Sequence, residues 1–210
     1  MPRYSYHEIG SRTEFSHKMF YQIEGYLSHF LDYVPFDYNH LKVYSLKLVT
    51  VMLEIGPELM NSFELAVSEL AVSVHVYDDG FLKDSKRLWE KEERLRKRKR
   101  SLTFNEWYCF LDKYLSPKLC SATVQLKGFD AYTMPFEKNN PEWWDSYNRL
   151  KHDKYNNLKR ANLRTALKAS SALFWLVDRN SRMFSFGTPF LSNLFLRIEP
   201  YRLNSSLKKL

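Results

Sequence analysis

Apolar side chains recur at spacings of three and four residues along most of this chain, a period that predicts amphipathic α-helices. The first begins at the capping box Ser11-x-x-Glu14 and ends near Val34-Pro35, because a residue before proline is displaced from the α region. The second begins around Asn39 and is apolar over most of its surface, so we expect it to be the most buried element. Gly56-Pro57 is expected to kink or break it, and helical spacing resumes beyond and continues to Asp78.

The middle of the chain is dense in charge. Residues 83–100 carry opposite charges at i,i+4 spacing, such as Glu92 and Arg96, which predicts an exposed helix with a cationic end. The capping box Thr103-x-x-Glu106 starts another helix, which stops at Ser116-Pro117. Residues 116–140 contain proline, glycine and asparagine and predict a long irregular connection, with a short helix around 119–126.

Two further helices and a tail complete the pattern. Asn140 as N-cap and Pro141 as the first helical residue begin one helix, which breaks near residues 156–157. The last long helix spans about 158–177, and small residues along one side predict the close approach of another helix: Ala161, Thr165, Ala169, Ala172 and Leu176. The tail carries apolar residues that are expected to fold back on the bundle or meet a partner: Phe190, Leu191, Leu194, Phe195 and Leu196.

Composition supports one all-α domain over residues 1–210. The chain has 210 residues, of which 44% are hydrophobic and only 6 are glycine, a balance that favours packed helices over a turn-rich β-sandwich. We expect a core over about 11–178, a charged helical insertion around 83–100 and an irregular C-terminal extension over 179–210. The formal charge of +8 favours anionic partners, nucleic acid above all.

Several classes of protein lose support from what the sequence lacks. The N-terminus has no apolar signal-peptide segment, and no apolar run is long enough to span a membrane, so we expect a cytoplasmic protein without membrane association. Cys109 and Cys120 are expected to be reduced thiols, and neither has companions at metal-ligand spacing. No phosphate-binding glycine loop or hydrolase motif is present, so we expect neither a metal nor a cofactor.

The helix that starts at Pro141 is where the sequence places candidate chemistry. Trp144, Asn148 and His152 are four residues apart and therefore lie along one face of that helix. Tyr147 and Lys151 flank this stripe. An imidazole titrates near neutral pH, so His152 is a candidate general acid or base at a phosphodiester.

The run Tyr147-Asn148-x-x-x-His152, followed by a long helix rich in Ala and Leu, resembles the HEPN superfamily of all-α domains. The resemblance implies a helical bundle that dimerises and joins two Arg-x(4–6)-His motifs in a metal-independent endoribonuclease site. It also implies a defence or toxin–antitoxin context, with an antitoxin or nucleotidyltransferase as partner. Asn148 and His152 match the family motif, whereas Tyr147 stands where the family has arginine.

This departure leaves three functions open. The first is a catalytically degenerate domain that binds RNA or a protein; its candidate RNA contacts are Trp144, Tyr147, Lys97, Arg98, Lys99 and Arg100. The second is an active endoribonuclease, in which His152 and Asn148 act with Arg149 or Lys151 in place of the missing arginine. The third is a protein-interaction scaffold that does not bind nucleic acid.

A purely structural interpretation accompanies each candidate residue. Tyr147, Asn148 and His152 would form a buried hydrogen-bonded network with Glu54 or Glu58 of the second helix. Trp143 and Trp144 would be packing anchors, and residues 97–100 a solvated helix end. The small-residue stripe and the motif face further predict a homodimer, with two copies of His152 near its axis.

Overall fold

The structure is a computed structural model, and it describes residues 4–73, 79–115, 118–184, 190–198 and 206–210. Within these ranges the chain forms seven α-helices and four short strands. The predicted helical bundle is therefore confirmed in outline, and the small sheet is an addition that the sequence patterns missed.

Helix α1 (Tyr6–Leu31) is capped by Ser5, whose side chain and that of Glu8 form a capping box. The cap predicted at Ser11 is wrong, because the helix begins a turn and a half earlier. Beyond α1, a 3-10 helix (Tyr38–Lys42) precedes α2 (Leu46–Ser73), so the predicted start of α2 at Asn39 is also too early.

Helix α2 is the central element and packs against α1, against α4 (Phe104–Tyr114) and α5 (Glu142–His152), and against α7 (Leu163–Phe184). It continues through Gly56 and Pro57, so the predicted break does not occur. Pro57 lies on the exposed side, where water can satisfy the carbonyl that loses its partner. The predicted continuation beyond Ser73 to Asp78 lies outside the described residues.

The charged region forms α3 (Asp79–Lys97), in agreement with the predicted helix. Besides its apolar face, α3 contacts the bundle through Arg96, whose guanidinium pairs with two buried carboxylates. Its Nη2 lies 2.9 Å from Glu64 Oε2 on α2, and its Nε lies 2.8 Å from Glu92 Oε1. Helix α4 then begins at the predicted capping box of Thr103 and Glu106.

The region predicted to be an irregular connection contains half of a sheet. Strands β1 (Thr123–Leu126) and β2 (Ala131–Thr133) form an antiparallel hairpin, and Gly128 occupies the left-handed region in its turn at φ 76°. β3 (Phe195–Ile198) pairs antiparallel with β1, and β4 (Lys208–Lys209) pairs parallel with β2, giving the order β3-β1-β2-β4. The predicted short helix over 119–126 is reduced to one 3-10 turn, Leu119–Ser121.

In the described residues, the C-terminal part of the chain contributes a helix end and two strands to the fold, where an irregular extension was predicted. Residues 179–184 complete α7, and β3 and β4 form the two edges of the sheet. Phe190 and Phe195 are buried against Phe20 and Phe174, as expected for a segment that folds back on the bundle.

Helices α2 and α7 make the most extensive helix–helix contact in the described part of the chain. The predicted small-residue stripe of α7 is buried, which confirms that another helix approaches closely. The two helices also share a buried hydrogen bond, because Arg179 Nη1 donates to Glu69 Oε2 at 2.8 Å. The side-chain amide of Asn180 donates a hydrogen bond to the Ser62 carbonyl nearby.

Candidate functional site

The two tryptophans of α5 are packing anchors, as the structural interpretation predicted. Trp143 is buried, and its indole nitrogen donates to the Pro135 carbonyl at 2.8 Å. The ring of Trp144 lies 4.8 Å from that of Phe104 and 4.8 Å from that of Tyr147, measured between centroids. Trp144 is half-buried with its ring packed against the core, and its contact with RNA stays a prediction.

Tyr147 lies against α2 at a position where the helix has no side chain. Its ring fills the space beside Gly56, where an added Cβ would lie 2.0 Å from the tyrosine Cζ. Only 6% of the residue is exposed, and burial raises the pKa of its hydroxyl. That Tyr147 contacts RNA stays a prediction, and the burial of its ring leaves little surface for such a contact.

The predicted buried network of Tyr147, Asn148 and His152 does not form. His152 is the last residue of α5, is exposed, and makes no hydrogen bond or ion pair with the described part of the chain. Glu54 and Glu58 lie two residues on either side of Gly56, about 200° around the helix, and so point away from α5. Each is half-buried with one buried oxygen that lacks a hydrogen-bond partner, and burial raises the pKa of both carboxyls.

The two cations proposed to replace the family arginine differ in their surroundings. Arg149 is held by Asp145, with 3.0 Å between Nε and Oδ2, and Asp145 also binds Arg160 at 3.1 Å. Lys151 is exposed, and its Nζ lies 6.0 Å from the Tyr147 ring centroid. Asn148 is half-buried. Among the described residues, no neighbour orients the His152 imidazole by a hydrogen bond.

The four cations at residues 97–100, which we term the basic run, are exposed. Exposure was predicted for either a phosphate contact or a solvated helix end. Lys97 ends α3 and pairs with Glu93 at 3.3 Å, and no described acid pairs with Arg98, Lys99 or Arg100. Lys99 adopts a left-handed conformation, φ 55°, and the Arg100 amide donates to the Leu95 carbonyl at 2.9 Å. These contacts close the helix in the manner usually provided by glycine.

The structure reveals a groove that sequence reasoning missed. It has a volume of about 700 Å³, within the range of ligand-binding clefts, and lies between the start of α2 and the segment after α5. Val49 is buried and Leu158 half-buried at its base, whereas Tyr155 is 92% and Leu46 75% exposed. The remaining lining residues are Tyr44, Lys154, Asn156 and Lys159.

Local hydrogen bonds hold the two sides of the groove in place. Asp153 caps the single-turn helix α6 (Lys154–Asn157), because its Oδ1 accepts from the Asn156 amide at 3.1 Å. On the opposite side, the Leu163 amide donates to the Val43 carbonyl at 2.9 Å. This bond and the β-bridge between Tyr44 and Asn162 join the entrance of α2 to that of α7.

The electrostatics of the groove favour an anion. Helices α2 and α7 both begin here, where Ser45 Oγ accepts from the Leu48 amide and Asn162 Oδ1 from the Thr165 amide. Helix N-termini carry partial positive charge, and two of them meet at this point. Around them lies what we term the basic corner: Lys151, His152, Lys154 and Lys159, all exposed and none paired with an acid among the described residues.

The sequence contains one weak indication of this site. Tyr44 and Tyr155 each follow closely on a lysine in short segments between helices, and aromatic residues interleaved with cations are typical of nucleic-acid surfaces. They are more than a hundred residues apart, so only the tertiary structure brings them to one groove.

Other kinds of site find no support in the described part of the chain. It holds no group of three or more side chains suited to bind a metal ion. None of its helices combines the length and apolar character needed to cross a membrane.

No protein-family model, curated protein or solved structure matches this chain.

Proposed function

We propose that this chain binds RNA through the basic corner and does not cleave it, as a domain similar to a catalytically degenerate HEPN member. The observation that carries the proposal is the set of unpaired cations of the basic corner, placed beside the N-termini of two long helices. Each cation that neutralises a phosphate releases counterions and so strengthens binding.

Two features favour a nucleic acid over a protein partner. The groove lining contains two lysines and no acidic residue. The nearest acid in sequence, Asp153, is an exposed carboxylate with both oxygens bonded to Asn156, and its single negative charge is outnumbered by the three lysines of the basic corner. Binding without cleavage follows from the isolation of His152, which lacks a neighbour to orient it or to act as the second proton-transfer group.

The basic corner is tested by changing Lys151, Lys154 and Lys159 to Gln and measuring fluorescence anisotropy of a labelled RNA at several salt concentrations. We expect weaker binding for every sequence, and a salt slope that falls by about 2, since each single-strand phosphate contact contributes about 0.7. A charge-matched control changes three exposed lysines elsewhere, Lys83, Lys86 and Lys138. Equal losses in both triple variants would show that net charge, and not the basic corner, governs binding.

The basic run is tested separately by changing Lys97, Arg98, Lys99 and Arg100 to Gln. If it contacts phosphates, this variant also binds more weakly and with a flatter salt dependence. An unchanged affinity and slope would reduce the run to a solvated end of α3.

Cleavage is tested by incubating the protein with labelled RNA in EDTA. We expect the RNA to remain at full length. Cleavage that His152→Ala abolishes while folding is retained would instead support the active endoribonuclease, with Arg149 or Lys151 as the cation. Failure to bind RNA even at low salt would support the protein-interaction scaffold.

A further inference from the structure

We propose that the groove beside the basic corner receives one unpaired base of a single-stranded RNA, stacked on the ring of Tyr155. This inference rests on the proposed function and extends it, because it names the form of RNA that is bound and a contact that is not electrostatic.

The first argument is the exposure of an aromatic ring at the edge of the groove. Tyr155 is 92% exposed, and none of the ring contacts in the described part of the chain involves it. The backbone that carries Tyr155 is held by local bonds, because α6 is capped by Asp153 and the side-chain amide of Asn157 donates to the Asp153 carbonyl at 2.8 Å. An exposed aromatic ring on a backbone held in this way is suited to stack a planar group.

The second argument is the distribution of apolar and charged groups. The base and one wall of the groove are aliphatic, formed by Leu46, Val49 and Leu158. Lys154 and Lys159 line the same groove. Lys151, at the end of α5, precedes Lys154 by three residues in the sequence. A nucleotide has the matching structure, since its flat base can occupy the apolar part while its own and the neighbouring phosphates contact the lysines.

The third argument selects a single strand over a duplex. In an RNA duplex the base faces are stacked on one another, so a protein side chain cannot stack on them without opening the helix. The two lysines of the lining lie before and after Tyr155 in the same segment, which fits a strand with phosphates on both sides of the stacked base better than a free nucleotide, which has phosphates at one end only.

The test compares an unstructured RNA strand with the same sequence as a duplex, at equal salt and by fluorescence anisotropy. We expect the wild-type protein to bind the single strand more tightly. Tyr155→Ala should weaken single-strand binding by roughly 5- to 100-fold, in keeping with measured base–aromatic stacking, and leave duplex binding within about twofold. Tyr155→Trp should restore single-strand binding, and neither variant should change the salt slope.

Two controls isolate the stacking contact. Tyr33→Ala removes another tyrosine, 76% exposed and outside the groove, and should leave binding unchanged. A strand with abasic residues keeps the phosphates and lacks the bases, so Tyr155→Ala should have no effect on its affinity. Circular dichroism should show every variant folded, since both side chains are exposed.

The outcomes separate this inference from the proposed function. If the lysine variants weaken binding but Tyr155→Ala does not, the basic corner binds phosphates and the base-stacking inference is overturned. If the wild-type protein binds neither form of RNA, both proposals fail. Equal loss for the intact and abasic strands in Tyr155→Ala would also overturn the inference, since the ring would then act without stacking a base.

Discussion

At the scale of single residues, a side chain's role depends on which group it meets. Tyr147 resembles an exposed functional residue in the sequence, yet it is buried because Gly56 leaves room for its ring. His152, four residues after Asn148, was expected to share in a buried network, and it is exposed at the helix end. Helical spacing places side chains on a common face, but the position of the neighbouring helix decides how far along that face burial extends.

Lys99 permits a prediction about backbone strain. Its left-handed conformation costs an L-residue about 1 kcal/mol that glycine does not pay, so Lys99→Gly should raise the free energy of unfolding by about that amount. Urea denaturation followed by circular dichroism measures the change. Arg98→Gly removes the same charge at a position without positive φ and should not stabilise. A destabilised Lys99→Gly would contradict the strain argument.

The buried contact between Glu69 of α2 and Arg179 of α7 permits a prediction about pH. Burial raises the pKa of Glu69 to about 8 despite the attraction of Arg179. In the unfolded chain the pKa of a glutamate is about 4.3. Between about pH 4.3 and pH 8 the folded protein therefore keeps a proton that the unfolded chain has released. The contribution of Glu69 to the free energy of unfolding falls as the pH rises through this range.

Glu69→Gln removes this titration. The free energy of unfolding of the wild type should therefore fall relative to that of the variant as the pH rises across that range. Glu14→Gln, an exposed carboxyl on α1, should leave the wild-type pH dependence nearly unchanged. Parallel stability curves for wild type and Glu69→Gln would show that Glu69 is ionised throughout.

At the scale of elements, helix boundaries follow the local capping groups that the fold leaves available. The Thr103 box caps α4 as predicted, whereas Ser11 lies inside α1 because the equivalent box at Ser5 precedes it. Pro57 does not end α2, since its missing hydrogen bond falls on the side of the helix that faces water. Packing on several other helices holds α2 continuous across this position.

The contact between α2 and α5 is tested by Gly56→Ala. The added methyl group would overlap the Tyr147 ring, so we expect a loss of roughly 1–3 kcal/mol, although alanine favours helix. Gly25→Ala is the matched control on α1; nothing lies within 4 Å of the new Cβ, and a gain of about 0.5–1 kcal/mol is expected. In a Tyr147→Ala background the cost of Gly56→Ala should disappear, and persistence of the full cost would contradict the overlap.

At the scale of the whole molecule, the middle and the C-terminal part of the chain meet in one sheet. β1 and β2 come from the region predicted to be irregular, and β3 and β4 come from the predicted extension. Short strands of two to four residues carry too little periodicity to be recognised before their partners are known.

The homodimer stays a prediction, but one of the observations that led to it has a different explanation. The small-residue stripe of α7 is buried within one copy of the chain, largely against α2, and is not available to a second copy. A dimer would have to form through other surfaces. Light scattering at tens of micromolar protein measures the mass directly, and a monomer under these conditions would contradict the dimer.

The sequence by itself determined the elements that carry their own information. The spacing of apolar residues predicted the main helices, and the charge pattern predicted α3 with its Glu92–Arg96 pair. The exposed basic run could also be predicted, because four consecutive cations at a helix end cannot be buried without partners. These features depend on residues within a few turns of one another.

Only the tertiary structure decided the candidate site. The groove requires Tyr44 and Tyr155 to meet, which depends on the hydrogen bond between Val43 and Leu163 and on the parallel course of α2 and α7. The burial of Tyr147 and the exposure of His152 likewise depend on where α5 crosses α2. Contacts between residues far apart in the chain leave no periodic trace in either segment, and their chemistry appears only when the fold brings them together.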